Sequence, residues 1–191
     1  MGSLILHTTP LSGLLVVETR PVGDQRGSFA RLFCARELEP LALPGPIVQI
    51  NHSYTSAAGT VRGLHFQRPP KAEAKLVRCL RGRVLDVAVD LRKGSETYLT
   101  WHAVELSPEN HLAFYLPRGF AHGFQTLEPD CELLYLHTEF YSPEHEGGLR
   151  FDDPALGIPW PLPVAELSAR DAAHPLVHSA DGPDFVPLEI L

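Results

Sequence analysis

Hydrophobic and polar positions alternate with a period of two along most of the chain, the mark of strands with one face turned to a core. From Val84 to Leu91 the pattern is nearly regular. Leu85, Val87, Val89 and Leu91 fall on one side, and Val84, Asp86, Ala88 and Asp90 on the other. In the run from Ile47 to Tyr54, Gln49, Asn51 and Ser53 share a face. Glu132–Tyr141 reads as one strand with Leu133, Tyr135, His137, Glu139 and Tyr141 on one face and Leu134, Leu136, Thr138 and Phe140 on the other. Residues 98–106 and 111–116 are less regular but carry the β-branched and aromatic residues of strands. Turn-forming clusters such as Leu43-Pro44-Gly45-Pro46, Arg81-Gly82-Arg83 and Pro117-Arg118-Gly119 separate the runs. Many short strands at this spacing predict an all-β sandwich or barrel. Helix-compatible stretches are short, around Cys34–Leu38 and near Ala165–Ala173. The Pro-rich tail after Asp152, with prolines at 154, 159, 161, 163, 175, 183 and 187, is expected to wrap the barrel, leaving residues 1–191 as one domain.

Composition narrows the class of molecule. At 191 residues the chain can bury a core without disulfides or metals, and 18 Pro and 15 Gly suit many turns. Sixteen basic against 23 acidic residues give −7, the wrong sign for a general nucleic-acid or anionic-membrane binder. Cys34, Cys79 and Cys131 are unclustered and read as reduced thiols. The early apolar run Leu14–Val17 is too short for a signal sequence or a membrane span, so a cytoplasmic location is expected.

Two features depart from the average. Several strands put titratable residues on one face, which fits either a solvated outer surface or a barrel with a wet interior holding a ligand. Residues 62–83 hold Arg62, Arg68, Lys71, Lys75, Arg78, Arg81 and Arg83 against Glu73 alone, a local +6. That is either a solvated basic strand or an anion-binding wall, since guanidinium groups match phosphate bidentately.

Ten histidines invite a metal hypothesis. Gly59 and His65, with five residues between them, and Pro117-Arg118-Gly119-Phe120-Ala121-His122 resemble the two-part metal signature of cupin barrels. The second histidine of the first part is Gln67 here. Two imidazoles without a clear carboxylate make a poor cage, so no metal is expected.

A broader resemblance runs through Asp24-Gln25-Arg26-Gly27-Ser28-Phe29, Gln49-Ile50-Asn51-His52-Ser53, and Val61-Arg62-Gly63-Leu64-His65-Phe66-Gln67 with Lys75-Leu76-Val77. It continues through Pro117–Phe124, Tyr141–Glu146, Arg150–Pro154, Ile158–Pro161 and Leu167-Ser168-Ala169-Arg170-Asp171. These eight elements, in order, resemble the dTDP-4-dehydrorhamnose 3,5-epimerase family. The resemblance implies an all-β, cupin-type jelly roll with short peripheral helices, a homodimer working without cofactor on a dTDP-4-keto-6-deoxyhexose. It implies His65 as base, Asp171 as its partner, Tyr135 as the acid on the opposite face, and Lys75 as the group facing the enolate oxygen. His122 would be a polar neighbour. Arg62 and Arg170 are candidates for the diphosphate, with Gln49, Asn51 and Tyr141 near sugar and phosphate. Arg26 and Phe29 would reach the nucleoside end from the partner subunit.

Alternation bears on some of these roles. Tyr135 and Tyr141 should face the same way, as should His65 and Gln67, whereas Arg62 should point outward unless Gly63 introduces a bulge. Without the resemblance, Tyr135 reads equally as a core tyrosine and Asp171 as a helix cap. Arg31 stands where the family commonly has Glu, which opens the identity of the nucleotide, and Arg170 replaces a usual Lys. A mono-epimerase, a ketoisomerase and a non-catalytic sugar-nucleotide-binding barrel are the alternatives.

Overall fold

The alternating runs fold into thirteen strands in a computed structural model whose described residues are 3–178, Leu188 and Glu189. Six of them form an antiparallel sheet: β1 (Leu4–Thr8), β2 (Leu15–Thr19), β5 (Gln49–Thr55), β7 (Lys75–Arg81), β10 (Leu112–Leu116) and β12 (Cys131–His137). Their spatial order is β1-β2-β10-β7-β12-β5. A second sheet takes β6 (Val61–Gln67), β8 (Val84–Asp90), β9 (Trp101–Leu106), β11 (Phe120–Thr126) and β13 (Glu146–Gly148), in the order β13-β6-β11-β8-β9. A small hairpin, β3 (Val22–Asp24) with β4 (Gly27–Phe29), stands apart. The crossing order gives the jelly-roll arrangement expected of a cupin-type barrel.

Between the sheets, Val77, Val84, Ala88, Phe114, Phe120, Phe124 and Leu133 make an apolar core at one end. The outer face of the five-stranded sheet is buried as well. Leu156, Ile158, Val177 and Leu188 cover Leu64, Phe66, Val87 and Val89 there, so the expected wrap exists, although Pro183 and Pro187 lie outside the described residues. Burial on both faces explains why Leu85–Leu91 reads as apolar on one side while the other side is also inside. The titratable faces of the strands point inward, which favours the wet interior over the solvated surface.

Three expectations need correction. The Glu132–Tyr141 strand stops at His137. Thr138 ties itself to Ala74 through its backbone N–H (3.1 Å) and through its hydroxyl, which accepts from the Ala74 N–H at 2.9 Å, and the chain turns away there. Cys34–Leu38 is a turn rather than a helix and leads into a 3-10 turn at Glu39–Leu41, which carries Pro40. The helical stretch near Ala165–Ala173 shortens to α1 (Ala169–Ala172), capped by Ser168, whose hydroxyl accepts from the Asp171 N–H. Among the described residues no helix is long and apolar enough to cross a membrane.

Candidate active site

Beside that apolar core, with which it shares Phe124, inward polar side chains enclose a cavity of about 310 Å³, the size of a small-ligand site. Even spacing brings Gln49, Asn51 and Ser53 of β5 to it together, and His65 with Gln67 of β6. Lys75 begins β7 at this end, and Tyr135 and His137 finish β12.

His65 and Asp171, 106 positions apart, meet with Nε2 and Oδ1 at 2.8 Å. Asp171 is almost fully buried and also accepts the Gly63 N–H at 3.2 Å. Burial opposes its charge, but the hydrogen bond and charge of His65, with the Gly63 and Ser168 contacts, outweigh that and hold the carboxyl at about 2. It is therefore no helix cap. An ionised partner on Nε2 keeps the proton there and leaves the lone pair on Nδ1.

The facing wall belongs to the other sheet. Burial raises the Tyr135 phenol well above its usual value, the Ser53 hydrogen bond (3.1 Å) lowers it in part and the nearby Asp86 adds to the rise, so it stays protonated and able to donate. Lys75 Nζ lies 3.0 Å from Glu73 Oε1, and Glu73 Oε2 takes His137 Nδ1 at 2.7 Å. Burial penalises the Glu73 charge, but Lys75 and His137 outweigh it and lower the carboxyl. His122 pairs with His65 across β6 and β11 and bonds Asp86 at 2.8 Å. Asp86 is fully buried, and that burial raises its carboxyl despite His122. The site thus sets an imidazole backed by a carboxylate on one side against a neutral phenol and a lysine on the other.

Arg62 reaches the cavity, against strict alternation, because β6 carries one extra residue opposite β11 between His122 and Phe124. Gly63 makes this possible with φ of +128° and no room for a Cβ, which would sit 2.5 Å from the Gly123 Cα. Tyr141 also lines the cavity, but from the loop beyond β12: its N–H donates to Gln49 and its hydroxyl to Glu146 at 2.8 Å. Arg170 lies at the rim, bonded to Glu146 at 3.1 Å.

The basic stretch does not form one wall. Only Arg62 and Lys75 of its seven cations line this cavity. Arg78 is buried against Thr19 and the His111 carbonyl, and burial lowers it to about 10. Lys71, Arg81 and Arg83 pair with Glu139, Glu132 and Glu105. Arg26 and Phe29 do not join the cavity within one chain. They sit on the exposed β3–β4 hairpin, with Arg26 held by Asp24 and Phe29 75% exposed. Arg31 forms an ion pair with Glu37, whose carboxylate also takes the Ser3 and Leu4 N–H groups, so it is spoken for locally.

Sequence reasoning missed Glu73, Asp86, His137 and Glu146 as parts of the site. Asp86 was signalled by its place between Val84 and Ala88 on a half-apolar face, and Glu73 by being the lone acid among seven cations.

Comparison with known proteins gives the family. Residues 8–179 match the family model described as dTDP-4-dehydrorhamnose 3,5-epimerase. The Salmonella typhimurium dTDP-4-dehydrorhamnose 3,5-epimerase is 45% identical over 179 residues, covering 93% of this chain and 97% of that protein. Among solved structures, the Bacillus anthracis dTDP-4-dehydrorhamnose 3,5-epimerase with TDP and PPi bound superposes with a TM-score of 0.87 at 42% identity, covering 91% of this chain and 99% of the other. The Legionella pneumophila dTDP-6-deoxy-D-glucose-3,5-epimerase in complex with dTDP-4-keto-L-rhamnose gives 0.87 at 39% identity, covering 96% and 99%. By sequence and by fold, the chain belongs to the dTDP-4-dehydrorhamnose 3,5-epimerase family and is an isomerase.

Proposed function

We propose that this chain epimerises a dTDP-4-keto-6-deoxyhexose at C3, C5 or both, without a cofactor. The observation that carries the reading is His65 on one sheet, paired with Asp171 of α1 and facing the Tyr135 hydroxyl and the Lys75 ammonium on the other sheet across a sugar-sized space. A 4-keto group acidifies the neighbouring C–H bonds, so inversion requires a base on one face of the ring and an acid on the other. His65 Nδ1 takes the proton, and the electron pair moves onto the ketone oxygen as an enolate. Asp171 stabilises the imidazolium, and Lys75 stabilises the enolate oxygen. Tyr135 then returns a proton to the opposite face, and solvent reprotonates the phenolate.

In this reading His122 is a polar neighbour on the base side, held by Asp86. Arg62 and Arg170 take the diphosphate, while Gln49, Asn51 and Tyr141 contact sugar and phosphate. Arg26 and Phe29 serve the nucleoside of the partner subunit's substrate in a homodimer of cupin-type domains, each spanning residues 1–191. Exposed Val22 and Phe29 on the hairpin, and Ile50 and Tyr54 on the edge strand β5, support such an association. The reduced cysteines are in keeping with a cytoplasmic enzyme.

Incubation with dTDP-4-keto-6-deoxyglucose in D₂O, followed by NMR, tests the reading. Deuterium at C3 and C5 with inverted product is expected. Label at one carbon alone assigns a mono-epimerase, and no exchange from folded protein refutes the proposal.

A further inference from the structure

His174 takes no part in the chemistry above, yet its imidazole lies against the dyad. Nε2 is 3.8 Å from Asp171 Oδ1, and the ring stands edge-on to His65 at 5.6 Å between centroids. The ring occupies the space a side chain at residue 148 would need, since a Cβ on Gly148 would come within 2.3 Å of Nε2. Gly148 in turn pairs with His65 across β13 and β6. Nε2 is buried and has no hydrogen-bond partner among the described residues. An apolar side chain would fill this space without leaving a buried nitrogen unsatisfied, which normally costs free energy.

We propose that His65, Asp171 and His174 form a binding site for a divalent cation of the zinc class, and that the bound cation switches the enzyme off. One ligand atom from each residue lies within 4.8 Å of the other two. Two imidazoles and a carboxylate are zinc donors, and three protein ligands leave a fourth position open. Metal–ligand distances of about 2.0–2.1 Å place tetrahedral donors roughly 3.3 Å apart. The two separations from Asp171 Oδ1, 2.8 and 3.8 Å, bracket that value, and with all three donors within 4.8 Å of one another the site closes by drawing the two imidazoles together. The His65–His122 positions of the cupin signature are not this set. Arg170 stands on the open side, with Nε 3.6 Å from Asp171 and its other end 3.3 Å from His65 Nε2. It is half exposed and already bonded to Glu146, so an incoming cation displaces it toward that carboxylate.

The inhibition rests on His65 being the base. In the free enzyme the proton sits on Nε2 and the lone pair on Nδ1. A metal on Nε2 requires a lone pair on Nε2 itself, so the proton moves from Nε2 to Nδ1 and no basic nitrogen is left facing the sugar. No proton need leave the protein, and no redox partner is involved.

Calorimetric titration of ZnCl₂ into metal-stripped full-length protein should show one site per chain, and Co²⁺ bound there should give the visible absorption of a tetrahedral ion. His174→Ala should turn over as the parent does without metal, bind zinc about tenfold or more weakly, and need correspondingly more zinc for inhibition. His174→Gln, which keeps polarity and bulk, should show the same loss and serves if the alanine variant fails to fold. Equal zinc affinity in parent and variants, or only substoichiometric binding by the parent, overturns the site. Binding is read without substrate. Zinc bound at one per chain by a protein that never exchanges deuterium therefore refutes the switch and the epimerase reading while leaving the site intact.

Discussion

Replacing Asp171 by Asn keeps the shape of the site and removes one charge, so it isolates what the carboxylate does. The Gly63 N–H donates to Oδ2 at 3.2 Å and His65 Nε2 lies 2.8 Å from Oδ1. An Asn whose oxygen stays on the Gly63 N–H turns its NH₂ toward His65, and a donor there forces the imidazole proton onto Nδ1. The base is then lost through the wrong tautomer, as when the same substitution in a serine-protease triad costs about 10⁴-fold. The expected fall in kcat is about 10²–10⁴-fold, with KM little changed because substrate contacts remain. A second readout comes from stability. Asp171 ionises at about 2 rather than 3.8, which favours the folded, charged form by roughly 2 kcal/mol. Because the folded value is depressed, that contribution is complete above about pH 4 and disappears as pH falls towards 2. Urea unfolding at about pH 7 and about pH 3 should therefore show a smaller acid-induced loss in Asp171→Asn than in the parent. A variant with kcat within a few-fold of the parent, or one whose defect lies wholly in KM, refutes the role assigned to this carboxylate.

Tyr135→Phe should reduce inverted product by about 10²-fold or more while the starting sugar still takes up deuterium on the face of the base, both read by NMR. Loss of that exchange as well would contradict the division of labour between the two sheets. Gly63→Ala forces a Cβ to within 2.5 Å of Gly123 at a φ of +128°, a cost of about 2–4 kcal/mol that should lower the melting midpoint by about 5–10 °C. Arg31→Glu sets two carboxylates against each other at Glu37. It should lower the melting midpoint and leave nucleotide preference unaltered, which competition between dTDP- and UDP-sugars would check.

Much of the fold was legible because strands with inward polar residues still alternate. The trio Gln49, Asn51 and Ser53, and the pair His65 and Gln67, follow from parity alone and all reach the cavity. What parity could not supply was where a strand ends or gains a residue. Parity carries β12 on to Tyr141, but the Thr138–Ala74 bonds end that strand, and a loop carries the tyrosine to the rim. Arg62 needed the extra residue at Gly63, a possibility the sequence raised and only the register decides. Local charge misled more. Seven cations in twenty-two positions fit a solvated strand or an anion-binding wall equally and form neither as a unit, since strand direction separates neighbours in sequence and Arg78, Arg81 and Arg83 serve packing and pairing elsewhere. His174 was invisible for a different reason. Its proximity to His65 arises from the segment that returns across the outside of the sheet, and no spacing in the chain encodes that.

That returning segment also sets an order of events during synthesis. All of the sandwich strands precede residue 150, whereas the carboxylate that orients His65 arrives on α1. A nascent chain emerging from the ribosome can thus pair its sheets and shape its interior while the imidazole still lacks its counter-charge. Chemical competence is acquired late, when the tail docks, and the same docking covers the apolar outer face of the five-stranded sheet, so chains stalled or clipped before that segment should be inert and prone to associate through that face.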